Sequence, residues 1–501
     1  MKLIKKIAAI MFAFMMVFSL GTNVKAESGT STDTKGSITI TNAIKDQDYK
    51  IYKILDLESF DSTKGAEAYS YKLTNDKWKN FFETGTGKDY VDIKAGYVTW
   101  RSGVNEADAA NLAKAAIAYA KDANNGVAAV TVTPTKQDNG NKTETLTYFD
   151  LELGYYLVES SVGALCGLTT TNSKVDIIEK NGVPSVEKNV SDTPDGNFAK
   201  DSFANIGDKV YFKTVITAKQ GAQNYVLHDK MDGAFTFNDD IVIKSNNTKV
   251  DKANYTIYYD DSIVNAENRV SDKCTFKCTF EIKFTQAYLD TLIKDQQIVV
   301  TYSAMLNNNA VINDVNYNKT HLSYGDNKVS NEDSTSTSTS SIKVLKYTGN
   351  TTHTLNGAKF KLFTKETGGD ALKFEKIDDQ NYRLTQNVTG NDEIETVKEG
   401  QFTMQGLKPN VTYWLEETEA PKGYNKLTKR IKVELKEYGH VVVDGKGNGF
   451  PPLTQVEVEN KTGSILPSTG GMGTTLIYLI GGALVLGSGF VLVNKKRAKA
   501  K

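Results

Sequence analysis

Cysteine is nearly absent from this sequence: three in 501 residues, at Cys166, Cys274 and Cys278. That excludes a disulfide framework as the main source of stability. Cys274 and Cys278 fall in a run that reads as a strand, which would hold their Cα atoms about 13 Å apart. A disulfide needs less than about 7 Å. All three thiols are therefore expected to be free. Histidine is almost as scarce, with only His228, His321, His353 and His440, and no paired Cys-x-x-Cys accompanies them. No zinc ligand set results, and neither metal nor cofactor is expected. There is no net charge either, since 60 basic residues balance 60 acidic ones. A nucleic-acid partner or a broad basic membrane face is thereby excluded. Ser/His/Asp and Cys/His arrangements and a Gly-rich phosphate loop are missing, and the acidic pair Asp260-Asp261 reads as a solvated turn. Turnover chemistry is not expected.

Both ends of the chain, by contrast, are strongly patterned. Lys2, Lys5 and Lys6 precede an apolar run from Ile7 to Leu20, and Val24-Lys25-Ala26 offers small residues for cleavage. Residues 1–26 are a secretory signal peptide. Near the other end, Thr475 to Val493 is nineteen residues without a charge, followed by Lys495, Lys496 and Arg497. A helix of that length spans about 28 Å, close to the thickness of a bilayer core, with the cations held on the cytoplasmic side. Just before it stands Leu466-Pro467-Ser468-Thr469-Gly470. Pentapeptide, apolar span and basic tail in this order resemble the cell-wall sorting signal of Gram-positive surface proteins. The resemblance implies cleavage between Thr469 and Gly470 by a sortase.

Short alternating runs between turns dominate the intervening chain and predict an all-β protein of tandem β-sandwich domains. Residues 27–182 form a first β-rich domain, whose helical insertion over Asn105–Asp122 carries Ala109, Leu112, Ala116 and Tyr119 at helical spacing. Residues 183–333 form a second, with a short helix over Gln286–Asp295. Residues 334–341, all Ser and Thr, read as a low-complexity linker. Residues 342–463 form a third β-rich domain, and 464–501 the sorting signal.

Within these strands some polar residues fall on the apolar face, because residues two apart share a face. Lys188 points with Val186 and Val190, Asp229 with Leu227 and Met231, and Asn318 with Thr320, Leu322 and Tyr324. In the third domain Lys346 points with Ile342 and Val344, Glu417 with Tyr413 and Leu415, and Asn460 with Val456 and Val458. Each domain thus has an inward Lys near its first strand, an inward acid midway and an inward Asn in its last strand. Burial disfavours charge, lowering a lysine's pKa and raising a carboxyl's. A neutral amine held beside an Asn amide is a nucleophile at high effective molarity. A protonated acid can polarise that amide and shuttle protons. Loss of ammonia would leave a Lys–Asn isopeptide bond joining first strand to last. The bland reading is inward side chains that snorkel to an edge or form buried ion pairs.

Tyr413-x-Leu415-x-Glu417-Thr418-x-Ala420-Pro421-x-Gly423-Tyr424 resembles the E-box of Gram-positive pilins. The third domain is similar to CnaB-type modules, and the second, closing with Asn318-x-Thr320-x-Leu322-x-Tyr324, to the CnaA-like domain of backbone pilins. The resemblance implies self-formed isopeptide sites at Lys188–Asp229–Asn318 and Lys346–Glu417–Asn460. The first domain departs from the pattern: Gly154-Tyr155-Tyr156-Leu157-Val158-Glu159 is E-box-like, yet its first strand has no inward Lys, although Lys53 is inward by phase. Val175-x-Ile177-Ile178-Glu179-Lys180-Asn181 is similar to the pilin motif, with Ile178 and Glu179 in place of the usual Tyr and Pro. This implies Lys180 as the amine that receives the next subunit's Thr469. The expected protein is a secreted, wall-anchored backbone subunit of a covalent pilus, not an enzyme. Its expected partners are pilin-type and housekeeping sortases, other copies of itself, accessory pilins and peptidoglycan, with host matrix a further candidate. The alternative is a non-polymerising wall-anchored adhesin or accessory pilin that binds host matrix.

Overall fold

A computed structural model describes residues 35–61, 68–104, 106–140, 142–160, 174–179, 182–219, 221–260, 277–463 and 472–498. The signal peptide, Cys166, Lys180, Cys274 and the Leu466–Gly470 pentapeptide lie outside them. The chain divides into two compact units, one drawing on residues up to 202, 209–305 and 316–337, the other on 203–208, 306–315 and 338 onward.

The first unit opens with a sandwich. A four-stranded sheet has the order Thr135–Gly140, Thr143–Glu152, Lys35–Ile44, Lys174–Ile178, and its first and last strands in sequence run parallel, Ser37 opposite Lys174. It faces a five-stranded sheet whose longest member, Tyr49–Asp61, pairs with Gly154–Ser160 at the sheet's edge. Ile38, Ile40, Leu146 and Tyr148 from one sheet meet Ile51, Tyr156 and Val158 from the other. The far face of the five-stranded sheet is covered by helices. Tyr52, Ile54 and Leu157 pack there against Trp78, Phe81 and Phe82 of helix Asp76–Glu83 and Leu112, Ala116 and Ile117 of helix Glu106–Lys121. Burial on both faces explains why nearly every residue of Gly154–Ser160 is inside. The expected helical insertion is present. The shorter helix was not read from sequence, although Asn75 caps it by accepting from the Lys77 N–H at 2.9 Å.

The same unit continues into two further sheets. One has the order Ser185–Ser191, Lys209–Thr217, Gln297–Leu306, Val242–Ser245, Thr248–Lys249. The other brings Phe280–Phe284, Val226–Met231 and Asp314–Tyr324 side by side. Between them the helix expected over Gln286–Asp295 is one turn only, Gln286–Leu289, capped by Thr285.

In the second unit Val456–Glu459 runs parallel to the later part of the strand Asp333–Thr348, with Val344 opposite Val456 and Lys346 opposite Val458. Its other sheet contains Lys359–Phe363, Val411–Glu419, Ile431–Leu435 and Val441–Val443, and a single apolar core lies between the two. The expected linker at 334–341 is corrected here: it is part of the strand Asp333–Thr348, with Thr335, Thr337, Thr339 and Ser340 buried. β-Branched Thr suits a strand, and hydroxyls find partners inside, such as Ser202 with Thr337 at 2.9 Å and Thr339 with the Leu407 carbonyl at 3.3 Å. Helix Met472–Ala498 contains an exposed apolar stretch, Leu476–Lys496, long and apolar enough to cross a membrane.

A second correction concerns the thiols, since Cys278 is disulfide-bonded. The strand assumed through this region begins only at Phe280, and Lys277 has a left-handed φ of 45°. Cys166 and Cys274, the two other cysteines, lie outside the described residues. With three cysteines in the chain, thiol titration under denaturing, non-reducing conditions should find one free thiol per molecule. Three would contradict the structure.

Candidate functional site

Two buried clusters stand out, and each contains a lysine, an acid and an asparagine. In the first unit, antiparallel pairing sets Lys188 opposite Thr214, and Asp229 opposite both Phe280 and Thr320. Lys188, Asp229 and Asn318 are all fully buried. Lys188 Nζ lies 2.5 Å from Asp229 Oδ2. All three meet at the hydroxyl of Tyr302: Lys188 Nζ hydrogen-bonds to it, it donates to Asp229 Oδ2 at 2.6 Å, and it accepts from Asn318 Nδ2 at 3.0 Å. The Lys188 nitrogen also sits 5.0 Å from the Tyr302 ring centre and 5.4 Å from that of Phe212. Burial pushes the Lys188 amine below its ordinary value, opposed by the charge of Asp229. It pushes the Asp229 carboxyl up, opposed by Lys188 and by the hydrogen bond from Tyr302. Both shifts favour a neutral amine beside a protonated acid.

In the second unit Lys346, Glu417 and Asn460 are likewise buried. Lys346 Nζ lies 3.4 Å from Glu417 Oε1 and donates to the Val458 carbonyl at 3.0 Å. Asn460 Nδ2 donates to Glu417 Oε2 at 3.0 Å and to the Asn425 carbonyl at 3.0 Å, while the Leu427 N–H holds the same carboxylate oxygen at 2.7 Å. Burial, opposed by the Glu417 charge, brings the Lys346 amine down to about 8. In both clusters the Asn side-chain oxygen receives no hydrogen bond among the described residues. Such a group ordinarily costs about 1–3 kcal/mol when buried, and buried polar groups are nearly always paired. Chemically, each cluster presents a desolvated amine, an amide and an acid able to carry protons between them.

These six residues sit where strand phase placed them. Lys180 and Leu466–Gly470 lie outside the described residues. Tyr302 was missed, since a tyrosine in phase with Ile298 and Val300 reads as ordinary core. The backbone clamp from Asn425 and Leu427 has no sequence signal. In the first sandwich Glu159 is buried, but its cation is Lys121, whose side chain is 31% exposed. Lys53, inward by phase, instead pairs with Glu152 at 3.0 Å, an acid at the surface. Among the described residues only Lys188 and Lys346 are lysines of the core.

His228, Cys278 and Glu281 also lie together. His228 Nδ1 is 3.1 Å from Glu281, and its ring stacks on His321 with centres 4.5 Å apart. The disulfide removes Cys278 as a thiolate ligand. Burial and the facing His228 bring His321 down from 6.5 to about 4, with Glu332 and Glu281 opposing. An unfolded chain takes up this proton below pH 6.5, the folded one only near 4. The contribution of His321 to stability is therefore complete above pH 6.5 and lost as pH falls toward 4. Thermal melting between pH 7 and 4.5 should show that decline, and His321→Gln should flatten it. Equal slopes for the two proteins would contradict the assignment.

Residues 340–448 match the SpaA family, a prealbumin-like fold domain. Residues 459–501 match the LPXTG cell wall anchor motif. The chain is thus a surface protein anchored to the cell wall, held at the membrane in passing by its apolar helix. The two matches support the resemblance to sortase-assembled Gram-positive backbone pilins. Similar solved structures include the T6 backbone pilin of serotype M6 Streptococcus pyogenes, at 16% identity over 81% of each chain with a TM-score of 0.49. The full-length major pilin SpaD from Corynebacterium diphtheriae is 18% identical over 87% of this chain and 100% of its own, with a TM-score of 0.47. The full-length major pilin RrgB from Streptococcus pneumoniae is 14% identical over 68% and 90%, with a TM-score of 0.42. No curated protein matches the chain.

Proposed function

We propose that this protein is the repeating shaft subunit of a covalent surface pilus, stiffened by two intramolecular isopeptide bonds, Lys188–Asn318 and Lys346–Asn460. The observation that carries the reading is the pair of buried Lys–acid–Asn clusters, alike in composition and in strand order. In each, the neutral amine attacks the Asn side-chain carbon, and the acid gives a proton to the departing nitrogen and recovers one from the former amine, so that ammonia leaves. Each reaction happens once per molecule. The proposed organisation is three domains, 27–182, 183–333 and 342–463, the second and third of which carry a bond.

Assembly would use the two ends of the ectodomain. A pilin-type sortase would hold Thr469 as a thioester, and Lys180 of another copy would displace it. A housekeeping sortase would pass the finished fibre, with any accessory pilins, to peptidoglycan. Wall extracts boiled in detergent and probed for this chain test the reading. A ladder of covalent multimers is expected. A single monomer band would sink it and favour the wall-anchored adhesin.

A further inference from the structure

The two clusters differ in how the acid reaches the leaving nitrogen. Glu417 does so directly, because Asn460 Nδ2 donates to its Oε2 at 3.0 Å. Asp229 is one methylene shorter, and the hydrogen bond from Asn318 Nδ2 goes to the Tyr302 oxygen at 3.0 Å. The Tyr302 hydroxyl in turn donates to Asp229 Oδ2 at 2.6 Å and bonds to Lys188 Nζ. It is therefore the one group among the described residues that hydrogen-bonds to amine, acid and amide together.

We propose that Tyr302 is a catalytic proton relay for the Lys188–Asn318 bond, an inference that rests on the isopeptide reading above. Lys188, as a neutral amine, adds to the Asn318 side-chain carbon. Protonated Asp229 then gives its proton to the Tyr302 oxygen as Tyr302 gives its own to Nδ2. The C–Nδ2 bond breaks and ammonia departs with the electron pair. The Asp229 carboxylate takes the surplus proton from the former Lys188 nitrogen, and both Asp229 and Tyr302 end as they began. Burial raises the Tyr302 phenol well above its ordinary value, so the hydroxyl acts by concerted exchange and does not dwell as phenolate. The ring is held for this task by stacking on Phe212 at 5.4 Å and by the edge contact with Phe280 at 5.0 Å.

The test follows branched Lys188–Asn318 peptide in digests of the full chain at intervals after synthesis. Tyr302→Phe keeps the ring and removes only the hydroxyl. Linkage at Lys188 should slow by about a hundredfold, within the range of general acid–base contributions. Lys346–Asn460 should still form normally in the same molecules, which shows that the chain has been made and folded there. Adding Asp229→Glu to Tyr302→Phe should restore linkage, since the longer acid reaches Asn318 as Glu417 reaches Asn460. A purely structural tyrosine would not be replaced in this way. Should Tyr302→Phe disturb folding, 3,5-difluorotyrosine at position 302 keeps the hydroxyl and alters its acidity, and the rate should shift. Unchanged rates in Tyr302→Phe, or with the fluorinated residue, would overturn the relay. An unmodified chain with no Lys188–Asn318 peptide would instead overturn the isopeptide reading, and the relay with it.

Discussion

Glu417→Ala should leave Lys346 and Asn460 unlinked while Lys188–Asn318 forms as before. Glu417 touches both reactants, and Lys346 has no other carboxylate in hydrogen-bond reach among the described residues. The chain would then lack one ammonia instead of two. The consequence for stability is large, because the bond ties the strand Asp333–Thr348 to Val456–Glu459 and its neighbour Asn460, enclosing the whole second core. In the chain-entropy view, closing a loop of about 100 residues contributes about 4.7 kcal/mol. A domain of this size should lose on the order of 15 °C in melting temperature. Differential scanning calorimetry with limited proteolysis measures it. A variant with the parent's mass and melting point would show that Glu417 has no part in the bond.

Lys180→Arg should abolish the covalent ladder and leave monomers. Guanidinium stays protonated at every accessible pH, so Arg keeps the charge but offers no nucleophile to a thioester on Thr469. Lys188 and Lys346 cannot substitute, being fully buried. By sequence phase Lys180 follows Ile178, which is exposed, whereas Ile177 and Glu179 are buried. The variant should fold, form both internal bonds and reach the wall as single subunits. Ladders of the parent's intensity would move the acceptor elsewhere, with exposed Lys174 the next to replace.

Strand periodicity made the six cluster residues legible. A charged or amide side chain in phase with Val, Leu or Ile has only one place to go when the strand is covered, and Lys188, Asp229, Asn318, Lys346, Glu417 and Asn460 all went there. Periodicity is silent where a residue obeys the rule. Tyr302 is apolar enough for its inward phase, so nothing in the sequence marks its hydroxyl as shared by three reactive groups. Composition misled at 334–341, where Ser and Thr read as a linker although their hydroxyls can be satisfied inside a sheet. The expectation of free thiols assumed a strand through Cys278, whereas Cys278 is disulfide-bonded and the strand begins only at Phe280. The helix Asp76–Glu83 was readable in principle, since Trp78, Phe81 and Phe82 follow its cap at helical spacing.

Both clusters should have reacted in the mature protein. Mass spectrometry of the denatured, disulfide-reduced chain tests it most directly. The mass should fall two ammonias short of that of the same residues unlinked, with branched peptides joining Lys188 to Asn318 and Lys346 to Asn460. A mass equal to that of the unlinked sequence, with all four residues recovered in linear peptides, would contradict it.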